Sequence, residues 1–171
     1  MSICDQLSIA WCNDPAEADS LAGFFVQHVA PAYISHGELQ VGRASDPEHW
    51  SPDLTHLIVD QIRGTLDKSV ASGLRVATAS ITSGLAALAL VSFHRGLHSA
   101  YAILEDLVVN GALRHNGIGG AVLEWIENEV RTAGCQRMFL ESGIKNHDAH
   151  RFFERHGFRP CSLVMIKSVG D

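Results

Sequence analysis

Cysteine, proline, tyrosine and net positive charge are all scarce in this chain of 171 residues, which has four Cys, five Pro, two Tyr and a formal net charge of −6. The cysteines stand far apart, at positions 4, 12, 135 and 161, with no C-x-x-C pair. That spacing excludes a disulfide framework or a thiolate zinc site, and buried thiols in a reducing cytoplasm are expected. Ten histidines are present, yet no His-His or His-Glu spacing marks a metal site. The acidic balance excludes nucleic-acid binding through bulk charge, and leaves room for a local acidic pocket that takes an amine. No basic stretch followed by an apolar core opens the chain, and the longest apolar run, Leu85 to Val91, is too short for a bilayer. An apolar share of 46% against 19% charged excludes a disordered chain. The expectation is one soluble cytoplasmic domain over 1–171, with one core and no membrane or nucleic-acid partner.

What is present reads as alternating elements. Leu7 to Cys12 is a short strand, and Asp14-Pro15-Ala16-Glu17 is a helix start with cap, proline and acid in order. Ala18, Leu21, Phe25 and His28 recur at helical spacing. His36 to Trp50 has no clean period and reads as a long loop, a candidate lid or specificity element. Ser51-Pro52 opens a second helix with Leu54, Ile58, Ile62 and Leu66 on one stripe. Arg75 to Ile81 and Leu85 to Phe93 form a hairpin across Thr82-Ser83-Gly84, and His94 to His98 turns into a strand from Ser99 to Val109. Ile118, Val122, Trp125, Ile126 and Val130 mark a third helix, with Gly134 as its C-cap. Met138 to Leu140 reads as a buried strand, His147 to His156 as a short helix and Cys161 to Val169 as a closing strand. The order is β-α-α-β-β-β-α-β-α-β, a mixed α/β (α+β) domain with a mostly antiparallel central sheet flanked by helices.

Two motifs carry chemistry. A strand ending Glu105-Asp106-Leu107-Val108-Val109 feeds Arg114-His115-Asn116-Gly117-Ile118-Gly119-Gly120 and then the third helix. A glycine-rich turn at a helix start is a pyrophosphate cradle, because first-turn N–H groups and the helix dipole both favour negative charge. A dinucleotide site competes for this motif, and Glu141 falls where such folds place a ribose-binding acid. Against it, Val122 stands where the third glycine of G-x-G-x-x-G belongs, and the motif comes late in the chain. The second motif is Asn146-His147-Asp148-Ala149-His150-Arg151-Phe152-Phe153-Glu154-Arg155-His156-Gly157-Phe158.

Together the two motifs resemble the GNAT superfamily of acetyl-coenzyme A-dependent N-acetyltransferases. That family places an Asn, an Ala, an aromatic pair and Gly-Phe about thirty residues past the glycines, as Asn146, Ala149, Phe152, Phe153, Gly157 and Phe158 stand here. The match covers closely the C-terminal 70 residues or so, the cofactor half (about 99–171), with acceptor-side elements expected over about 14–70.

The resemblance implies a direct transfer of an acetyl group from acetyl-coenzyme A to a primary amine, without an acyl-enzyme. It implies a splayed gap between the strand ending at Val109 and the one ending near Glu141. Backbone groups of Leu107, Val108 and Val109 would bond the pantetheine like an added strand. N–H groups of Arg114, His115, Asn116, Gly117, Ile118, Gly119 and Gly120 would hold the pyrophosphate. For Arg114, charge on a phosphate and packing of its stem against the loop are both open. Asn146 would face the cofactor and cap its helix, beside Ala149, and Phe152 and Phe153 would pack near the thiol. Many relatives have Tyr at Phe153, where a hydroxyl protonates the leaving thiolate; here water, another group or unassisted departure must serve.

Glu105 is the candidate base, expected to alternate with Leu107 and Val109 on one strand face while Asp106 points away in a structural role. The N–H of Leu107 or Val108 is the implied oxyanion donor. His94 and His98 flank a turn from which either could reach the acceptor. A non-catalytic acyl-coenzyme A sensor or assembly subunit is the alternative, and an NAD(P) oxidoreductase the remote one. The acceptor, a small amine or a protein or peptide amine, is not legible, and a homodimer is only the family's common habit.

Overall fold

The structure is a computed structural model that describes residues 6–67 and 73–169. The chain divides into two compact units, one formed by the stretches up to Val29 and from Thr55 to Leu140, the other by Ala30–Leu54 and the stretch from Glu141 onward.

The first unit is built on a five-stranded sheet in the order β1-β4-β5-β6-β7, of β1 Ser8–Cys12, β4 Leu74–Ile81, β5 Gly84–Arg95, β6 Ala100–Val109 and β7 Arg137–Leu140. All pairs are antiparallel except β6 with β7. That parallel pair needs a crossover, which α4, Ile118–Thr132, supplies. β5 sits in the middle, and its run from Ala86 to Val91 is wholly buried, as a strand covered on both faces requires. α1, Ala18–His28, buries Ala18, Leu21, Ala22 and Phe25, and α4 buries Ile118, Val122, Leu123, Ile126 and Val130. α3, Leu54–Leu66, follows the expected stripe, with Leu54, Ile58, Ile62 and Leu66 all buried. Each large side chain so buried contributes about 1.5–3 kcal/mol. α4 stops at Gly134, whose φ of 78° lets the Cys135 N–H bond the Val130 carbonyl at 3.1 Å.

Four expectations need correction. The stretch from His36 to Trp50 is not a loop but holds α2, His36–Gln40, and a small hairpin of β2, Ala44–Asp46, and β3, His49–Trp50. The reason is local: Ser35 and Glu38 close a capping box around the start of α2. β7 alternates between exposed and half-buried residues rather than lying buried, since it pairs only with β6 among the described strands. Cys161 to Val169 forms no strand, and Leu163, Val164, Met165, Ile166 and Val169 are all exposed. Finally, Cys12 and Cys135 are half-buried and Cys161 is exposed, and all three are free thiols; Cys4 lies outside the described residues.

In the second unit, α5, His147–Arg155, starts at Asn146, whose side chain accepts from the Ala149 N–H at 3.4 Å. Among the described residues no helix is long and apolar enough to cross a membrane.

Candidate active site

The candidate base lies where β6 breaks step. Leu90 pairs with Asp106 and Val91 with Leu104, so Glu105 is the extra residue of a β-bulge. A bulge flips the side-chain alternation, and the register puts Leu107 opposite Ala89 and Asp106 opposite Leu90. Paired residues share a face. Glu105, bonded to Ser92, therefore shares the sheet face of Leu90 and Asp106, and Leu107 and Val109 take the other. The expected alternation of Glu105 with Leu107 and Val109 is corrected by that one inserted residue. Asp106 is 1% exposed, consistent with a structural role, whereas Glu105 is exposed.

Glu105 is not alone. The Ser92 hydroxyl donates to its carboxylate and lies 2.9 Å from Nε2 of His94. His94 is a strand residue of β5, not a turn residue, and stacks on Tyr101 with centroids 4.8 Å apart. His98 lies exposed in the turn closed by the Gly96 N–H on the Ser99 carbonyl. Sequence reasoning passed over Ser92, although a hydroxyl two residues before a histidine on a strand places both on one face.

β6 runs on past its partner. The β7 ladder ends at Leu104 with Leu140, leaving Glu105 to Val109 beyond it. The chain then turns at Asn110, whose side chain accepts from the Ala112 N–H at 3.0 Å. The loop 114–117 is exposed, and His115 and Gly117 both adopt left-handed backbone, φ 65° and 82°. Gly117 is the N-cap of α4 and offers no side chain to the first turn, which also has no acidic residue. An anion can therefore approach these N–H groups without meeting a capping side chain or a like charge.

Side chains hold this loop from behind. Arg114 donates through Nη2 to the His28 carbonyl at 2.6 Å and through Nε to the Val109 carbonyl at 3.4 Å. The Gly111 N–H donates to Nδ1 of His28 at 3.2 Å. Partial burial, and then the Arg114 charge, lower the His28 pKa from its ordinary value. Asn116 Nδ2 donates to the carbonyls of Leu113 and Arg114, both at 3.1 Å. These guanidinium bonds are a third role for Arg114, beside the phosphate contact and the stem packing expected from the sequence.

In the second unit, Asn146 caps α5 as expected. Phe152 and Phe153 are half-buried with ring centroids 5.1 Å apart, and Phe153 meets Phe158 at 5.7 Å. Ala149 is half-buried on the same helix. Glu141, the candidate ribose-binding acid, instead pairs with His36 Nδ1 at 2.9 Å and accepts from Ser35 Oγ at 3.3 Å.

Comparison with known proteins fits this arrangement. Residues 44–158 match the model of the acetyltransferase (GNAT) family. The chain belongs to that family, whose enzymes use acetyl-coenzyme A as acetyl donor. It is 36% identical over 84 residues to an aminoalkylphosphonate N-acetyltransferase of Salmonella typhimurium, covering 47% of this chain and 54% of that one. It is 39% identical over 66 residues to an amino-acid acetyltransferase of Pseudomonas syringae, covering 39% of this chain and 14% of that one. The chain thus spans about half the length, or less, of these curated relatives. The fold is shared with an aminoglycoside N-acetyltransferase solved with coenzyme A, at TM-score 0.65 and 15% identity over 95% of this chain and 93% of that one. A possible acetyltransferase from Clostridium difficile aligns at TM-score 0.68 and 12% identity over 97% and 99% of the two chains.

Proposed function

We propose that this chain transfers an acetyl group from acetyl-coenzyme A to a primary amine by direct attack, with Glu105 as the base. The observation that carries the reading is the exposed carboxylate at the bulge of the strand that leads into the 114–120 loop. Backbone N–H groups of that loop and of the first turn of α4 would hold the pyrophosphate, with Arg114 and His28 keeping the loop in place. Leu107 to Val109 would bond the pantetheine through their backbone, and the N–H of Leu107 or Val108 would face the developing oxyanion. Asn146, Ala149, Phe152 and Phe153 carry the family's second motif, and their contact with the cofactor is part of the same reading.

An alkyl ammonium must lose a proton before it can attack a thioester carbonyl, and Glu105 takes it, directly or through one water. Phe153 offers no proton to the departing thiolate, and a thiol pKa of about 8.5 makes unassisted departure tolerable. Small amines bearing a second charged group lead the acceptor candidates, because relatives are named for aminoalkylphosphonates and amino acids. A cytoplasmic location and a homodimer complete the reading.

Thiol release from acetyl-coenzyme A, measured with aminoethylphosphonate, glutamate, spermidine and kanamycin, tests it. Amine-dependent release is expected with at least one of these, and coenzyme A binding without release from any of them would favour a sensor instead.

A further inference from the structure

One line of polar groups crosses the sheet face beside Glu105 and has no part in the scheme above. Ser92 is 7% exposed, follows the buried apolar run of β5, and its hydroxyl bridges the Glu105 carboxylate and the His94 ring. His94 is half-buried and held flat by Tyr101, its cross-strand partner, at an interplanar angle of 12°. Tyr101 in turn meets Phe139 edge-on at 5.7 Å. A hydroxyl has one proton and two lone pairs, so it can accept a proton on one side while giving its own on the other.

We infer that Ser92 and His94 are the proton exit of Glu105, a short relay that returns the base to its carboxylate form after each turnover. This rests on Glu105 being the base. The protonated Glu105 carboxyl gives its proton to Ser92 Oγ as Ser92 gives its own to Nε2 of a neutral, Nδ1-protonated His94 ring. The carboxyl O–H bond breaks, one O–H bond forms and one breaks on Ser92, and an N–H bond forms on His94. The products are carboxylate, hydroxyl and imidazolium. His94 then returns one proton to water, and its neutral tautomers re-equilibrate by solvent exchange. The amine's proton thus reaches solvent with no other reactant.

Among the described sheet residues, the charged and titratable groups on His94's side are Glu105, the buried Asp106 and Tyr101 on β6, Arg137 on β7, which pairs with Tyr101, and Cys12 on β1, which pairs with Val76 opposite Leu90. Arg95 donates instead to the Ala133 carbonyl at 3.1 Å. The position that would pair with His94 from β4 lies outside the described residues. Ser92 and His94 act through Glu105, so they are positioning and relay residues.

Two measurements on the full chain test the relay. In nitrogen NMR at neutral pH, Glu105→Gln and Ser92→Ala should each move the His94 Nε2 resonance and leave that of His98 in place. In turnover with aminoethylphosphonate, or with the best amine of the panel, His94→Gln should lower kcat by about 10²-fold, the low end of what a proton-transfer group contributes. KM for both substrates and Tm should stay unchanged, and free imidazole should restore part of the rate. Glutamine can still bond Ser92 but cannot become an imidazolium, so a purely structural His94 would tolerate it. A His94 resonance blind to both variants, or full kcat in His94→Gln without added imidazole, overturns the relay. If Glu105→Gln is inactive while His94→Gln is fully active, only the relay falls; if Glu105→Gln is fully active, the base lies elsewhere.

Discussion

The bulge of β6 and the loop at that strand's end divide the labour in opposite ways. At the bulge, the proposed chemistry lies on side chains that the backbone presents: one extra residue aims Glu105 at Ser92 and leaves it open to solvent. At the loop, the proposed ligands are backbone N–H groups, while the side chains of Arg114, His28 and Asn116 hydrogen-bond the loop and its flanks. A site of the first kind is sensitive to functional groups, and one of the second kind to shape. Substitutions in the two regions should therefore fail differently, the first in kcat and the second in acetyl-coenzyme A binding.

The sharpest contrast comes from Glu105→Gln, which keeps size and hydrogen bonding but removes the proposed base. It should lower kcat by on the order of 10²–10⁴, the usual contribution of a general base, with acetyl-coenzyme A binding unchanged by calorimetry. Gly117→Val places a branched residue at φ 82°. It should cost about 1–2 kcal/mol in strain, read as a lower Tm, and weaken acetyl-coenzyme A binding more than it changes kcat. Full acetyl-coenzyme A affinity in that variant would break the division between the two regions. Outside both regions, Ser35→Ala removes the cap of α2 and should cost about 1 kcal/mol in urea unfolding, leaving kcat as it was.

The smallest effect is a pH dependence at His28. Its lowered pKa means that the fold favours the neutral ring, which accepts the Gly111 N–H at Nδ1. The unfolded value is about 6.5, so this contribution is fully present above that pH and is lost as pH falls through the lower folded value. The Tm difference between the wild type and His28→Phe should accordingly shrink as the solution is acidified. A difference that stays constant would mean that the Gly111 bond does not hold the loop.

Elements whose signal lies within a single segment were legible in the sequence: the stripes of α3 and α4, the hairpin strand β5, the caps at Asn146 and Gly134. Those set by pairing were not. The bulge at Glu105 depends on the register with β5, which no pattern within β6 reveals, and it reverses the expected face of Leu107 and Val109. The apolar sequence from Leu163 to Ile166 has strand character yet forms no ladder among the described residues, because strand propensity needs a neighbour to take effect. Ser92 was hidden for a similar reason: its role appears only once β5 and β6 lie side by side. α2 was overlooked because five residues are too few for a helical period, although its Ser35 and Glu38 capping box was readable.

The most direct test of the proposed activity is amine-dependent thiol release from acetyl-coenzyme A, with wild type and Glu105→Gln measured side by side and acetyl-coenzyme A binding followed by thermal shift. Ligand at a hundred times its dissociation constant should add about 2.7 kcal/mol of stability to both proteins. The predicted result is equal stabilisation of both, with amine-dependent release in the wild type and its near loss in the variant. Stabilisation of both with no amine-dependent release from either, or release that is equal in the two, would contradict it.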